Sequence, residues 1–210
     1  TQSVGLRIPS FSSWAQRTGT SLKMAVNNGY CFAGNAALFG CSDCRIATKT
    51  SWIGMAGPAM IEGGGLGVFE PTDIGPVSVH KKNGVVDYVA ENEEEATLIA
   101  KKLLSYFQGS IEDFSVCDQE ILQSVMPEDR RYTYDVRKII NTIADQDSFL
   151  ELRKKYGESI ATGFIRIEGK PFGLLASDCQ KLGGAIDSES AEKAADFISI
   201  CNDHALPILV

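Results

Sequence analysis

The sequence predicts an α/β fold, because short apolar runs typical of strands alternate with segments whose apolar residues recur at helical spacing. The clearest example lies between residues 22 and 55, where a strand, a glycine turn, a helix and two further strands are indicated in that order. An apolar content of 44% in 210 residues is ordinary for a globular chain with a packed core. Many of the 20 glycines are bunched at 54–67 and 163–184, which indicates sharp turns or close approaches of the backbone.

The charge pattern argues against nucleic acid and membrane surfaces as partners. The formal net charge is −7, and no run of lysine and arginine could follow a phosphate backbone or an anionic bilayer. No apolar stretch approaches the roughly 20 residues of a spanning helix, and residues 1–4 lack the features of a secretory signal. We therefore expect an intracellular protein, cytoplasmic or, in a eukaryote, in the mitochondrial matrix.

In the first half of the chain, an apolar run at 22–26 predicts a strand that ends at the break 27–29. Small residues at 33–39 predict a tightly packed helix, and two short strands are expected at 44–48 and 52–55. This order places the first turn of a helix at the end of a strand, where α/β folds usually bind their ligands.

The segment 93–107 carries the strongest helix pattern, with its apolar residues on one face. Asn92 can cap this helix with Glu95 three residues later, and Gly109 follows its end. Acidic residues in the first turn and lysines in the last match the helix dipole, so we interpret the acidic run as solvated surface.

A polar segment at 109–131 predicts a linker between two halves of the chain. Beyond it we expect short helices at 136–143 and 149–152, and then two strands at 162–167 and 172–176 joined by a turn. A final helix is expected to be capped by Asp187 or Ser188, and it leads into a buried strand at 206–210. Because a carboxylate at the end of a core strand is unfavourable, we expect the sequence to be truncated there.

Catalysis by titratable side chains has little support in the sequence. Cys41 and Cys44 form a lone C-x-x-C without a second pair of ligands, so we predict structural cysteines and no metal. His80 lies beside two lysines and His204 at a predicted helix end, and a structural role is the more common one for each. The glycines at 63–67 form neither a P-loop nor a complete G-x-G-x-x-G.

Chemistry carried out by the backbone remains open. A pair of N–H groups in a glycine-lined turn can stabilise a developing oxyanion without any titratable side chain. The candidate turns are Ala33-Gly34 and Gly57-Pro58. From spacing alone, tight turns without a catalytic role are the somewhat better explanation of both.

Several motifs in one order carry a resemblance to a known family. They are GYCFAGNAALFG at 29–40, IGMAGPAMIE at 53–62, GVVDYVA at 84–90, RRYTYDV at 130–136, SFLE at 148–151, GFIRIEGKPFG at 163–173 and LGGAID at 182–187. From about residue 22 onward the chain resembles the carboxyltransferase (β) subunits of biotin-dependent acyl-CoA carboxylases, of the propionyl-, acetyl- and methylcrotonyl-CoA carboxylase type.

This resemblance implies an α/β crotonase-like fold, in which each half of the subunit is a superhelix of ββα units. The chain then comprises the later part of the N-terminal domain at 1–115, a linker at 116–131 and the first part of the C-terminal domain at 132–210. The family carries about half a domain before residue 22 and a second glycine-alanine oxyanion site after Leu206. We therefore expect this chain alone to be inactive.

The resemblance also implies the chemistry. Carboxybiotin on a partner carrier protein would donate its carboxyl group to the α-carbon of an acyl-CoA, or the reverse. The backbone amides of Gly34 and Asn35 would form an oxyanion hole, while Ala33, Ala56, Gly57 and Pro58 would line the substrate site. The implied partners are a biotin carboxyl carrier or biotin carboxylase subunit and a second copy of the chain, with the active site at the dimer interface.

Two other functions remain open at this stage. A biotin-independent crotonase relative, such as an enoyl-CoA hydratase, would rely on paired carboxylates, and the acidic residues near the first glycine turn are Asp43 and Glu62. A scaffold subunit would keep the fold without catalysis. The acyl group cannot be predicted, because the residues that set chain length are expected outside this sequence.

Overall fold

The first of two β-sheets is parallel and lies in the N-terminal half. A computed structural model describes residues 9–129 and 131–210. The first sheet has the order β1-β2-β3 and consists of β1 (Met24–Phe32), β2 (Cys44–Gly54) and β3 (Tyr88–Ala90). The helices of this half are α1 (Pro9–Ala15), α2 (Gly34–Gly40), α3 (Pro58–Gly63), α4 (Val77–His80) and α5 (Glu93–Ser105).

The second sheet is mixed and lies in the C-terminal half. Its order is β4-β5-β6-β7, with β4 (Leu150–Leu152), β5 (Ile160–Ile167), β6 (Lys170–Ser177) and β7 (Ile208–Leu209). β4, β5 and β6 are antiparallel neighbours, and β7 returns parallel to β6 after a helix. The helices of this half are α6 (Leu122–Val125), α7 (Val136–Ile143) and α8 (Ser188–Asp203).

Helix ends and the hairpin follow the predicted capping chemistry. The Asn92 side chain accepts a hydrogen bond from the N–H of Glu95, and Asp187 does the same for Ser190. β5 and β6 are joined by Glu168 and Gly169, which have φ of 49° and 74°. Two consecutive positive φ angles make the type of tight turn that matches the twist of a hairpin.

The predicted end of β1 at residues 27–29 is wrong, and so are the two separate strands at 44–48 and 52–55. β1 continues to Phe32, and β2 is one strand from Cys44 to Gly54. Both pass through one irregularity, where the paired positions jump from Asn27 and Ala47 to Gly29 and Ser51. The polar residues at this point bond across the two strands, and the Thr48 hydroxyl donates to the Asn28 amide oxygen at 2.7 Å.

Two further predictions in the second half are wrong. The segment predicted as a helix at 149–152 contains the strand β4 instead, in which Leu150 and Leu152 both face the core and alternate with Glu151. The strand expected to be buried at 206–210 is the two-residue edge strand β7, which is only half-buried, and Val210 is exposed.

One apolar core joins the two sheets. Leu103 and Tyr106 at the end of α5 pack against Phe164 of β5 and Phe197 of α8. The segment around 109–121 crosses between the halves, and its Ile111 N–H donates to the Gly169 carbonyl at 3.1 Å. Within residues 9–129 and 131–210, no helix is both long and apolar enough to cross a bilayer.

Candidate functional site

The predicted site residues lie in two turns at the same edge of the first sheet. The turn Ala33-Gly34-Asn35 follows β1, and the turn Ala56-Gly57-Pro58 follows β2. Since the two strands are parallel and Phe32 pairs with Gly54, their carboxyl ends lie side by side. The Ala33 N–H donates to the Gly54 carbonyl at 2.9 Å, which ties the first turn to the end of the second strand.

The first turn presents two backbone N–H groups that have no acceptor among the residues that the structure describes. Ala33 caps α2 with φ of 53° and ψ of −122°, so the chain reverses sharply before the helix. The N–H of Ala37 is bonded to the carbonyl of Ala33 at 3.1 Å. Within residues 9–129 and 131–210, no acceptor receives a hydrogen bond from the N–H of Gly34 or Asn35. Both groups can therefore donate to an external oxygen.

A cleft of about 470 Å³ lies beside this turn, between α1, α2 and the outer edge of β1. Its walls include Ser10, Trp14, Val26, Tyr30, Asn35 and Leu38. The indole N–H of Trp14 donates to the Leu38 carbonyl at 3.0 Å, which fixes α1 against α2. A volume of this size is within the usual range for a small-molecule site.

The ring of Phe11 from α1 covers Gly34. A methyl group added to Gly34 would lie 2.8 Å from the end of that ring, closer than two carbon atoms can approach. A side chain at position 34 would therefore have to displace the Phe11 ring, whereas Asn35 is exposed. Sequence reasoning missed Phe11 because residues 1–21 carry no family motif.

The second turn is held by an aromatic side chain from the first strand. A methyl group on Gly57 would lie 3.3 Å from the ring of Phe32, and one on Gly54 would lie 3.6 Å from it. Gly57 is the N-cap of α3, with Pro58 at its first position. Phe32 is half-buried between the two turns, and it stacks on Tyr30 with 5.8 Å between ring centres.

The carboxylates that a hydratase would pair are far apart. Asp43 precedes β2 and Glu62 lies on α3 beyond its far end, so the length of the strand separates them. Asp43 accepts a hydrogen bond from the N–H of Lys23 at 2.7 Å and contacts its ammonium group at 3.5 Å. Asp43 therefore has a structural partner and is not paired with Glu62.

The two histidines occupy structural positions. His80 Nε2 forms a hydrogen bond with the Ile53 carbonyl at 2.7 Å, beneath the second turn. His204 is the C-cap of α8, and its Nε2 lies 3.7 Å from an Asp43 oxygen without a hydrogen-bond partner in the described residues. Neither imidazole lines the cleft beside Asn35. The six predicted site residues carry no titratable side chain, so their chemistry is that of the backbone.

Comparison with known proteins identifies the family. The model of the carboxyl transferase domain matches residues 18–210, which include both sheets and both turns. The chain belongs to the carboxyl transferase family. Membership of this family explains the order of the motifs along the chain. The predicted α/β crotonase-like fold is confirmed.

Solved structures of carboxyl transferase proteins superpose over nearly the whole chain. A single-chain, multi-domain long-chain acyl-CoA carboxylase is 47% identical, with a TM-score of 0.96 over 99% of this chain and 21% of that one. A transcarboxylase 12S subunit, solved as a hexamer with methylmalonyl-CoA, is 28% identical, with a TM-score of 0.81 over 94% of this chain and 40% of that one.

Curated relatives lead to the same carboxyl transferase family. The methylmalonyl-CoA carboxyltransferase 12S subunit of Propionibacterium freudenreichii subsp. shermanii is 29% identical over 91% of this chain and 38% of its own length. The biotin-dependent acetyl-/propionyl-coenzyme A carboxylase beta6 subunit of Mycobacterium tuberculosis is 30% identical over 95% of this chain and 43% of its own. The chain thus spans about two fifths of each of these relatives.

Proposed function

We propose that the protein containing this chain transfers a carboxyl group between biotin, carried by a partner protein, and the α-carbon of an acyl-CoA. Family membership supports this reaction class, as do relatives named as a methylmalonyl-CoA carboxyltransferase subunit and a biotin-dependent acyl-CoA carboxylase subunit. Biotin supplies the carboxyl group when its carrier is docked.

The observation that carries the proposal is the pair of N–H groups at Gly34 and Asn35, which have no acceptor within residues 9–129 and 131–210. Loss or gain of a carboxyl group at the α-carbon places negative charge on the thioester oxygen. Donors that are already oriented, in a half-buried turn, stabilise such charge more than water does, because they need no reorganisation. A ureido or thioester carbonyl fits this donor set, since both present an oxygen that accepts hydrogen bonds.

The second turn would hold the substrate in register with the first. We propose that Ala33, Ala56, Gly57 and Pro58 line the acyl-CoA and biotin site. The contact of Phe32 with Gly57 supports this assignment, because it keeps the two turns side by side. Positioning of two reactants can contribute several kcal/mol to lowering a barrier.

We further propose that the active site is completed by a second copy of the protein and served by a biotin carboxyl carrier or biotin carboxylase subunit. Exposed apolar side chains next to the second turn support a partner surface there, and they are Met55, Met60, Leu66, Val68 and Phe69. The predicted domain limits, with a linker at 116–131, belong to this proposal. The cellular compartment stays a prediction.

A proline at position 34 tests the oxyanion assignment. Gly34→Pro removes one N–H, and we expect it to lower kcat/KM for carboxyl transfer about 100- to 1000-fold in the whole protein. The assay uses free biotin with malonyl- or methylmalonyl-CoA and measures carboxybiotin. Hydration of an enoyl-CoA instead would identify a hydratase, and neither product would identify a scaffold.

Gly34→Ala is the matched control for the proline variant. Both substitutions add a β-carbon against Phe11, but only proline removes the N–H. We expect Gly34→Ala to lose far less activity than Gly34→Pro, and Asn35→Ala to stay within a few-fold of the parent because its N–H survives. Equal losses in the proline and alanine variants would mean that displacement of Phe11, and not the missing donor, is responsible.

A further inference from the structure

A second cleft, of about 370 Å³, lies where the two halves of the chain meet. It is bounded by β3 and α5 on one side, and by β4 and the turn after β4 on the other. Four lysines from three separate segments line it, and we call it the lysine cleft: Lys81, Lys102, and the adjacent Lys154 and Lys155. The formal net charge of the chain is −7, so this group of lysines is a positively charged region in a chain that is negative on average.

The carboxylates that line the lysine cleft already form ion pairs with arginines. Asp87 accepts hydrogen bonds from Arg45 at 3.1 Å and from Arg153 at 2.6 Å. Glu151 accepts two from the Arg137 Nε at 3.0 and 3.2 Å. These acidic groups are therefore engaged by arginines that are buried or partly buried, and they offset little of the positive charge of the lysines.

The lysines themselves have weak partners. Lys154 and Lys155 lie 3.8 Å from Glu151 and Glu158, and both lysine side chains are more than half exposed, where such pairs contribute little. Lys102 donates to the backbone carbonyl of Asp147. Burial lowers the pKa of Lys102, a cost that a bound anion would offset.

The cleft also has an apolar wall suited to a planar group. Tyr88, Ile99 and Phe149 line it and are only partly buried by the chain itself. Aromatic faces bind nucleobases by stacking, and lysines bind phosphate oxygens as point charges. A ligand with two or more negative charges at one end and an aromatic ring at the other matches both features.

We propose that the lysine cleft binds a nucleoside diphosphate or triphosphate, at a site separate from the turns that hold the acyl-CoA. The cleft lies level with Arg45, because the Asp87 N–H donates to the Arg45 carbonyl at 2.9 Å. Arg45 pairs with Ala25 at one end of β1, whereas the candidate turns begin beyond Phe32 at the other. Seven residues of strand, at about 3.3 Å each, put roughly 23 Å between the two levels.

The test measures ADP binding to the whole protein by equilibrium dialysis, in the parent and in the double variant Lys81→Gln/Lys154→Gln. Each removed charge is expected to weaken binding about tenfold, so the double variant should lose about a hundredfold. Affinity should also fall with added potassium chloride, because exposed charges are screened. Adenosine and pyrophosphate, dialysed separately, should each bind more weakly than ADP.

The control replaces neighbouring lysines outside the cleft. Lys82→Gln/Lys101→Gln removes the same charge from adjacent, exposed positions and should leave the affinity for ADP within about twofold. No saturable ADP binding at millimolar concentration would overturn the proposal, as would equal losses in the two double variants. Pyrophosphate that binds as tightly as ADP would overturn the nucleoside assignment, and full competition by coenzyme A would overturn the separate site.

Discussion

Lys193 is a buried cation that forms no ion pair with a carboxylate in the part of the chain that the structure describes. It is 1% exposed on α8, and its ammonium group donates to the carbonyls of Ile160 at 2.7 Å and Gly157 at 3.4 Å. Burial lowers the pKa of Lys193 to about 8 from its usual value of 10.5. The dipoles of two carbonyls thus only partly replace the water that the charge has lost.

The pH dependence of stability should report this lysine. Between pH 8 and pH 10.5 the unfolded chain binds more protons than the folded one, so the free energy of unfolding should rise with pH. The difference amounts to about 3 kcal/mol at most. Lys193→Met should be as stable as the parent or more stable at pH 7, and should lose that rise, as measured by urea unfolding at pH 7 and pH 10.

Lys101→Met serves as the reference, because Lys101 is exposed on α5 and should leave the pH dependence unchanged. A Lys193→Met variant whose stability still climbs as the parent's does would show that other groups cause the rise. The sequence does not indicate that Lys193 is buried, because the buried face of α8 combines Ser190 and Lys193 with Phe197 and Cys201 and so lacks a continuous apolar spacing.

At the scale of an element, β5 depends on one glycine. A methyl group on Gly163 would lie 2.3 Å from the Leu150 carbonyl of β4, inside the contact distance of any two such atoms. Gly163→Ala should therefore force the two strands apart and destabilise the protein by about 2–4 kcal/mol, the range of severe core overpacking. Thermal or urea unfolding measures the loss.

Gly40→Ala provides the matched substitution. Gly40 ends α2, and no atom lies within 4 Å of the methyl group that alanine would add. This variant should be unchanged or more stable by up to about 1 kcal/mol, because alanine is a better helix former. If both glycine variants unfold alike, the close approach of β4 is not what requires glycine in β5.

Elements with a periodic pattern were predictable, and those fixed by a distant neighbour were not. α7 begins and ends where its apolar spacing indicated, and Asn92 caps α5 as expected. β4 has only three residues, so its alternation is too short to distinguish a strand from one helical turn, and pairing with β5 decides. β1 continues past its predicted end because β2 supplies hydrogen-bonding partners for its backbone. The polar residues 27–29 do not indicate this pairing.

For the whole molecule, Asp87 couples the two halves. Its carboxylate is bonded to Arg45 in β2 and to Arg153 beyond β4, while its backbone carbonyl accepts from the Arg153 N–H at 2.7 Å. Arg153 reaches on to Asp196 of α8 at 2.8 Å. Asp87 and Arg153 are buried, so removing Asp87 leaves a buried charge without its partner.

Asp87→Asn should cost about 3–5 kcal/mol in the free energy of unfolding. Because the coupling between the halves is weakened, we also expect the single urea transition to broaden or to separate into two. Circular dichroism and tryptophan fluorescence should then give different midpoints.

Asp196→Asn tests the same arginine from its exposed side. The Asp196 side chain is 60% exposed, so its ion pair with Arg153 is screened and should contribute less than about 1 kcal/mol. A decrease in the free energy of unfolding as large as that of Asp87→Asn would contradict the view that Asp87 stabilises the protein because it is buried, and not because of the number of its ion pairs.

The site was predictable only as far as the motifs reach. Gly34 and Gly57 were found because family motifs contain them, and the structure brings their turns together through the pairing of Phe32 with Gly54. The ring of Phe11 over Gly34 comes from a segment without a motif, and the lysines of the lysine cleft come from three separate stretches of sequence. Such groupings depend on the packing of the two halves, which no local pattern encodes.

The irregularity between β1 and β2 determines which changes in the length of the second strand keep its inner and outer faces. From Asn27 to Gly29 the first strand advances by two residues, while the second advances by four, from Ala47 to Ser51. The surplus is even, so Ala47 and Ile53 still reach the same core. Loss of a single codon here would turn Trp52 inward and Ile53 outward, whereas loss of two would leave the inner and outer faces as they are.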